Sequence, residues 1–112
     1  MAANEFKNSG AINVGTSFVS VYTSPALKTS MITQLVGCNL QNSGITVDVQ
    51  VFRAGASQTV NVLRGVPLPA GSTIKIIEDD KLVLGPGDQL LVRTSVANGA
   101  DFLASLVEDV NA

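Results

Sequence analysis

The chain has 112 residues, enough for one compact domain and short for two. Apolar residues make up 46% of it and charged residues only 14%, well below the roughly 25% usual in soluble domains, so Ser, Thr, Asn and Gln must hydrate much of the surface. A net charge of −2 with seven scattered Lys and Arg gives no phosphate track and argues against nucleic acid as a partner.

The first ten residues are polar and end in Gly10, with Phe6 their one large side chain. They read as an arm, residues 1–10, left free or ordered by a neighbour. Residues 11–112 then read as one β-sandwich domain. Ile12 and Val14 lead into an alternation from Phe18 to Tyr22, which Pro25 stops by withdrawing a ladder donor. Thr29 to Leu40 suits a long strand with a bulge at Gly37. Gln41 to Gly44 is turn chemistry, and it predicts an antiparallel hairpin joining that strand to the next.

The next strand carries the clearest signal in the chain. From Ile45 to Phe52, the residues Ile45, Val47, Val49 and Val51 fall on one side and Thr46, Asp48 and Gln50 on the other, the period-2 pattern of a half-buried strand. Arg53 to Gln58 reads as a loop and Thr59 to Leu63 as a short strand. Pro67 and Pro69 cannot sit inside a central strand, so Gly65 to Gly71 is predicted to cross between two sheets.

Ser72 to Glu78 resumes the alternation, Asp79-Asp80 is predicted to turn it, and Lys81 to Leu84 follows. Gly85-Pro86-Gly87-Asp88 has the residues of a tight turn, with Gln89 to Ser95 as a strand beyond it. Asn98-Gly99 offers a type I′ turn into Asp101 to Val110. That last segment fits a helical stripe as well as a strand, and the β context favours a strand. The sum is all-β: about eight antiparallel strands in a β-sandwich of jelly-roll type. Several strands, among them Ile74 to Ile77, Leu82 to Leu84 and Leu90 to Val92, are apolar on both faces. The second face calls for cover from a loop, an arm or another subunit.

The chemistry-bearing residues are few. Histidine is absent, which removes the commonest general base and transition-metal ligand. Cys38 stands alone, so no disulfide can form within the chain and no Cys-His nucleophile exists; it reads as a small apolar strand residue. Glu78, Asp79 and Asp80 with Asp88 offer oxygens for a hard cation, but without the spacing of a calcium loop they read as a solvated turn. None of the glycines follows a nucleotide-loop pattern. The Gly-Asp turn before an inner strand is also seen in cupin barrels, whose metal site needs the histidines this chain lacks. No catalytic, cofactor-binding or metal residue is therefore assigned, and an enzyme is not expected. No apolar run is long enough for a transmembrane helix, and the first residues lack a signal peptide's apolar region. The expectation is a protein made in the cytoplasm that stays soluble until it finds its partners, with no membrane association.

Val66 to Ile76, reading V-P-L-P-A-G-S-T-I-K-I, and Lys81 to Ser95, reading K-L-V-L-G-P-G-D-Q-L-L-V-R-T-S, carry a resemblance. With the earlier V-S-V-Y-T-S-P at Val19 to Pro25, they are similar to a type of small tailed-bacteriophage virion protein, over roughly residues 16–110. The resemblance implies a β-sandwich subunit of a virus particle, synthesised in a bacterial host. It implies a capsid decoration or cement protein bridging capsid subunits, or else a neck, tail or fibre-attachment component. The partners implied are the major capsid protein or other virion subunits, together with further copies of the chain. The shared positions are strand and turn residues, so no functional residue is carried over. A carbohydrate-binding sandwich is a third reading, weakened by the few aromatics, Tyr22 and four Phe. The arm from Ala2 to Gly10 and the loop from Arg53 to Thr59 are the stretches least needed by the fold, and are expected to contribute contacts.

Overall fold

The computed structural model describes residues 5–108, with residues 78–81 described by their backbone alone. Eight strands run in chain order as β1 (Glu5–Val14), β2 (Val19–Thr23), β3 (Ser30–Asn39), β4 (Ile45–Arg53), β5 (Gln58–Leu68), β6 (Thr73–Leu84), β7 (Gln89–Thr94) and β8 (Ala100–Glu108). They form two four-stranded sheets of order β1-β8-β3-β6 and β2-β7-β4-β5. Every pairing is antiparallel. This interleaved order, in which consecutive strands lie in opposite sheets at most connections, is that of a jelly roll.

The core is aliphatic and lies between the sheets. Ile45, Val47, Val49 and Val51 of β4 face Ile32 and Leu35 of β3 and Phe102, Ala104 and Leu106 of β8, with Leu90 and Val92 of β7 beside them. β4 alternates as its sequence predicts, because both its neighbours, β5 and β7, leave only one of its faces to the core. The final segment is a strand through Glu108, buried at every second position from Ala100 to Leu106; residues 109 and 110 lie outside the described residues.

The hairpin expected at Gln41 to Gly44 does not form. β3 is paired on one side with β6 and on the other with β8, so no edge remains for β4, which lies in the opposite sheet. The turn residues reverse the chain, but here they carry it over the end of the sandwich. Asn39 fixes that crossing. Its buried Nδ2 faces the carbonyls of Ser43, Leu68 and Pro69 at 3.0, 2.9 and 3.1 Å, and its Oδ1 accepts from the Gln41 amide at 2.7 Å. One side chain thus ties the β3–β4 crossing to the β5–β6 crossing. The second is the passage between sheets that Pro67 and Pro69 predict, and Pro67 itself sits on an edge strand, where a missing donor costs nothing.

Three local expectations also change. The bulge in β3 falls at Thr33, not Gly37: between Ile32 and Gln34 the register with β8 slips by one, and the Thr33 hydroxyl donates to the Ser105 carbonyl at 3.0 Å. Gly37 stays in the regular ladder, and its missing side chain makes room for its neighbours: a Cβ there would stand 2.9 Å from Ile76 Cδ1 and 3.0 Å from the Phe102 ring. Asp79-Asp80 does not turn the chain. Thr73–Leu84 is one strand, and the backbone absorbs two extra residues against β3 between Glu78 and Leu82. Finally, Glu5–Gly10, expected as part of a free arm, is strand, in continuous register with β8 from Glu5↔Glu108 to Ala11↔Phe102. Its side chains remain mostly exposed, so it is held by the ladder more than by burial.

Candidate interaction surface

Two polar clusters pin the strands, and each is internally satisfied. At one end of the sandwich the buried Glu108 carboxylate accepts from Lys7 Nζ at 2.8 Å and from the Tyr22 hydroxyl at 2.6 Å, with Lys28 Nζ at 3.8 Å. Since the Tyr22 proton goes to Glu108, the Ser30 hydroxyl, 2.9 Å away, is the donor in its contact with Tyr22. Lys7 first and Tyr22 second hold the Glu108 carboxyl below its ordinary pKa, against the opposing pull of burial. Burial, and then the Glu108 carboxylate, raise the Tyr22 hydroxyl.

The second cluster lies on the outer face of the β2-β7-β4-β5 sheet. Asp48 accepts from the Gly65 amide at 2.9 Å and from Arg93 Nε at 2.8 Å, and the Arg93 guanidinium lies 4.5 Å from the centre of the Phe18 ring. The Gly65 amide first, and Arg93 after it, lower the Asp48 carboxyl. Gln50 and Asn61 bond each other across the same face. That face mixes these paired polar groups with Phe52 and Leu91, which are half-buried.

The outer face of the other sheet differs. The ladder registers Phe6↔Val107, Val107↔Met31 and Met31↔Val83 place four apolar side chains in one row across all four strands. Phe6 is 85% exposed and Val83 61%, while Val107 is covered between its neighbours. A second apolar pair, Leu103↔Val36, sits further along, beside Gly10. An open cleft of about 310 Å³ lined by Phe6, Lys7, Asn8, Thr33, Ser105 and Leu106 separates the two. Rows of this kind on a rigid sheet suit burial against another protein surface.

The residues weighed for chemistry are dispersed. Cys38 is half-buried on the outer face, opposite Asp101 and Thr73. Asp88 accepts from the Ala54 and Gly85 amides at 2.9 Å each, so its carboxylate closes the Gly85–Asp88 turn. The side chains of Glu78, Asp79 and Asp80 lie outside the described residues. Among the described residues no three His, Cys, Asp or Glu side chains come together as a metal set. No described helix is long and apolar enough to cross a membrane. Tyr22 is buried, which removes it from any sugar-stacking surface. Arg53 to Gln58 forms the tip of the β4–β5 hairpin, with a single 3₁₀ turn at Ala54–Ala56.

The apolar row was partly visible in the sequence. Of the strands with two apolar faces, Leu82 to Leu84 behaves as expected, with Leu84 in the core and Val83 outside. Ile74 to Ile77 does not: a register shift opposite Leu35 and Val36 lets Ile74, Ile76 and Ile77 all turn toward the core. Phe6, Met31 and Val107 carried no signal of their own, because only the register aligns them.

No protein-family model and no curated protein sequence matches this chain. Solved structures are similar in fold. A protein of Bacillus endospore appendages, described as disulfide-linked pili, superposes with TM-score 0.59 at 7% identity over 100% of this chain and 92% of its own. A chain of infectious bursal disease virus, Gx strain, gives 0.55 at 14% identity over 96% of this chain and 29% of its own. The Drosophila NLP core, described in terms of pentamer formation and histone binding, gives 0.53 at 12% identity over 96% and 98%. These likenesses define the class: a jelly-roll β-sandwich, a scaffold that hosts many functions.

Proposed function

We propose that this chain is a non-enzymatic structural subunit of a bacteriophage particle, and specifically a capsid decoration or cement protein. The observation that carries the reading is the apolar row Phe6–Val107–Met31–Val83, exposed at its two ends, on a sandwich whose buried polar side chains, among the described residues, all have partners. The motif resemblance to small virion proteins supports the same reading, and solved chains of similar fold include proteins of a pilus and a virus.

The mechanism is mechanical. A subunit that lays an apolar face across two neighbouring capsid proteins adds contacts that must be lost before the shell opens. An interface of about 1,600 Å² can hold firmly without any single strong contact. The partners are the major capsid protein and further copies of this chain, and the location is the virion.

Gel densitometry of purified particles tests the proposal. Decoration requires copies in numbers comparable to the capsid subunits, on the order of hundreds. A dozen copies or fewer points to the neck, tail or fibre attachment, and absence from particles overturns the virion reading.

A further inference from the structure

The two sheets have four edges, belonging to β1, β6, β2 and β5, and three of them are blocked against further pairing. β6 is bulged by two extra residues between Glu78 and Leu82 and carries Lys75, Asp79, Asp80 and Lys81 in its sequence. β5 holds Arg64, Pro67 and Gly65 at φ +67°, with register shifts near its middle. β2 has five residues, slips register between Ser20 and Tyr22, and is followed by Pro25. Bulges, prolines, charges and shortness are the devices by which natural sheets close their edges.

β1 keeps its irregularity at one end, between Ala11 and Val14, where Asn13 has φ +52°. It is unbulged against β8 from Glu5 to Ala11 and contains no proline. Its one central charge, Lys7, is engaged by Glu108. No described strand pairs with its outer side.

The sequence of this edge is complementary to itself. Phe6 and Ile12 are 85% and 75% exposed, Phe6 within the regular ladder and Ile12 at the start of the irregular stretch between Ala11 and Val14. In an antiparallel pairing of two copies about a two-fold axis through Ser9, Phe6 of each copy falls opposite Ile12 of the other. Lys7 then meets Ala11, Asn8 meets Gly10, and no like charges face each other. Aromatic against β-branched is a favourable cross-strand pair, and symmetry supplies it twice.

We infer that β1 is a strand-pairing site for a second copy of this chain, joined through Phe6 and Ile12 into one continuous eight-stranded sheet. The site does not depend on the virion reading. A single edge buries less than a standard interface, so the dimer forms reversibly and grows with concentration.

Sedimentation of the full chain up to about 1 mM tests the inference, with circular dichroism confirming the fold of each variant. The wild type is expected to pass from monomer to dimer. Ile12→Lys and Phe6→Glu, both at exposed positions, should each raise the dimer dissociation constant at least about 10-fold. The double variant Phe6→Glu with Ile12→Lys should restore dimers in low salt, because the proposed register sets the new opposite charges face to face. A wild type that stays monomeric overturns the inference. So does association that neither single variant weakens, or a double variant no better than the singles.

Discussion

Tyr22→Phe removes one hydroxyl from the knot at the end of the sandwich and leaves the ring in place. The lost group donates to the buried Glu108 carboxylate at 2.6 Å and accepts from Ser30 at 2.9 Å. A hydrogen bond to a charged group contributes about 1.5–3 kcal/mol. Glu108 keeps Lys7 at 2.8 Å, which places the expected cost near the middle of that range, about 2 kcal/mol. A chain of this length has an unfolding entropy of roughly 0.24 kcal/mol/K, so the melting midpoint should fall by about 8 °C.

The deficit should also depend on pH. The Glu108 carboxyl is lowered in the folded protein from its ordinary 4.5, by Lys7 first and Tyr22 second. A depressed folded-state pKa gives stability that is complete above the unfolded value and is lost as pH falls through the folded one. The gap between wild type and Tyr22→Phe should therefore be full near neutral pH and narrow only as pH falls through the lowered folded-state value. Burial raises the Tyr22 hydroxyl, which keeps it a donor throughout that range. Thermal unfolding followed by circular dichroism measures both effects. A loss under about 2 °C at neutral pH would refute the account of this cluster.

Asn39→Ala should cost about 2–3 kcal/mol in urea unfolding, since it strips the Ser43, Leu68 and Pro69 carbonyls and the Gln41 amide of their shared partner. Gly37→Val should cost about 1–3 kcal/mol by crowding Ile76 and the Phe102 ring, with Gly37→Ala milder because the Ile76 terminus can yield. Val83→Lys, at a position 61% exposed, should move folding stability by no more than about 0.5 kcal/mol. If the apolar row docks onto a capsid, the same variant should be depleted from purified particles; equal incorporation would count against that face.

Deleting residues 2–10 to test an arm is a poorer experiment than the sequence suggests. The deletion would strip the Glu5–Gly10 part of β1 from β8 and take Lys7 away from Glu108. It changes the fold and the surface together, whereas point changes at Phe6, Ile12 or Val83 change the surface alone.

Where one face of a strand meets the core and the other meets water, periodicity exposes it. Ile45 to Val51 is the clearest case, and the all-β sandwich followed from repeating that reading along the chain, although β1 and the unbroken run of β6 did not. Turn positions were equally local. Pro25 and the Gly85–Asp88 turn lie where their backbone limits require, whereas the crossing expected from Gly65 to Gly71 is confined to residues 69–72, because β5 runs on through Pro67 to Leu68. The end of the chain was ambiguous between helix and strand until Phe102, Ala104 and Leu106 were seen to share one buried face.

Partners are not local, and they were not legible. Gln41 to Gly44 reverses the chain equally well within a sheet or between sheets; β4 crosses because β6 and β8 already occupy both sides of β3. Asp79-Asp80 has turn chemistry, yet pairing with β3 on either side of it keeps the backbone extended. The polar first residues read as an arm, since ladder bonds need only main-chain groups, which every sequence supplies; β8 offered the open edge. The apolar row from Phe6 to Val83 exists only because three registers align four distant residues. Composition and alternation determined what kind of layers this chain builds, through the burial preference of each side chain. Which strand lies beside which, and hence where the uncovered face falls, was decided by competition among edges in the assembled sandwich.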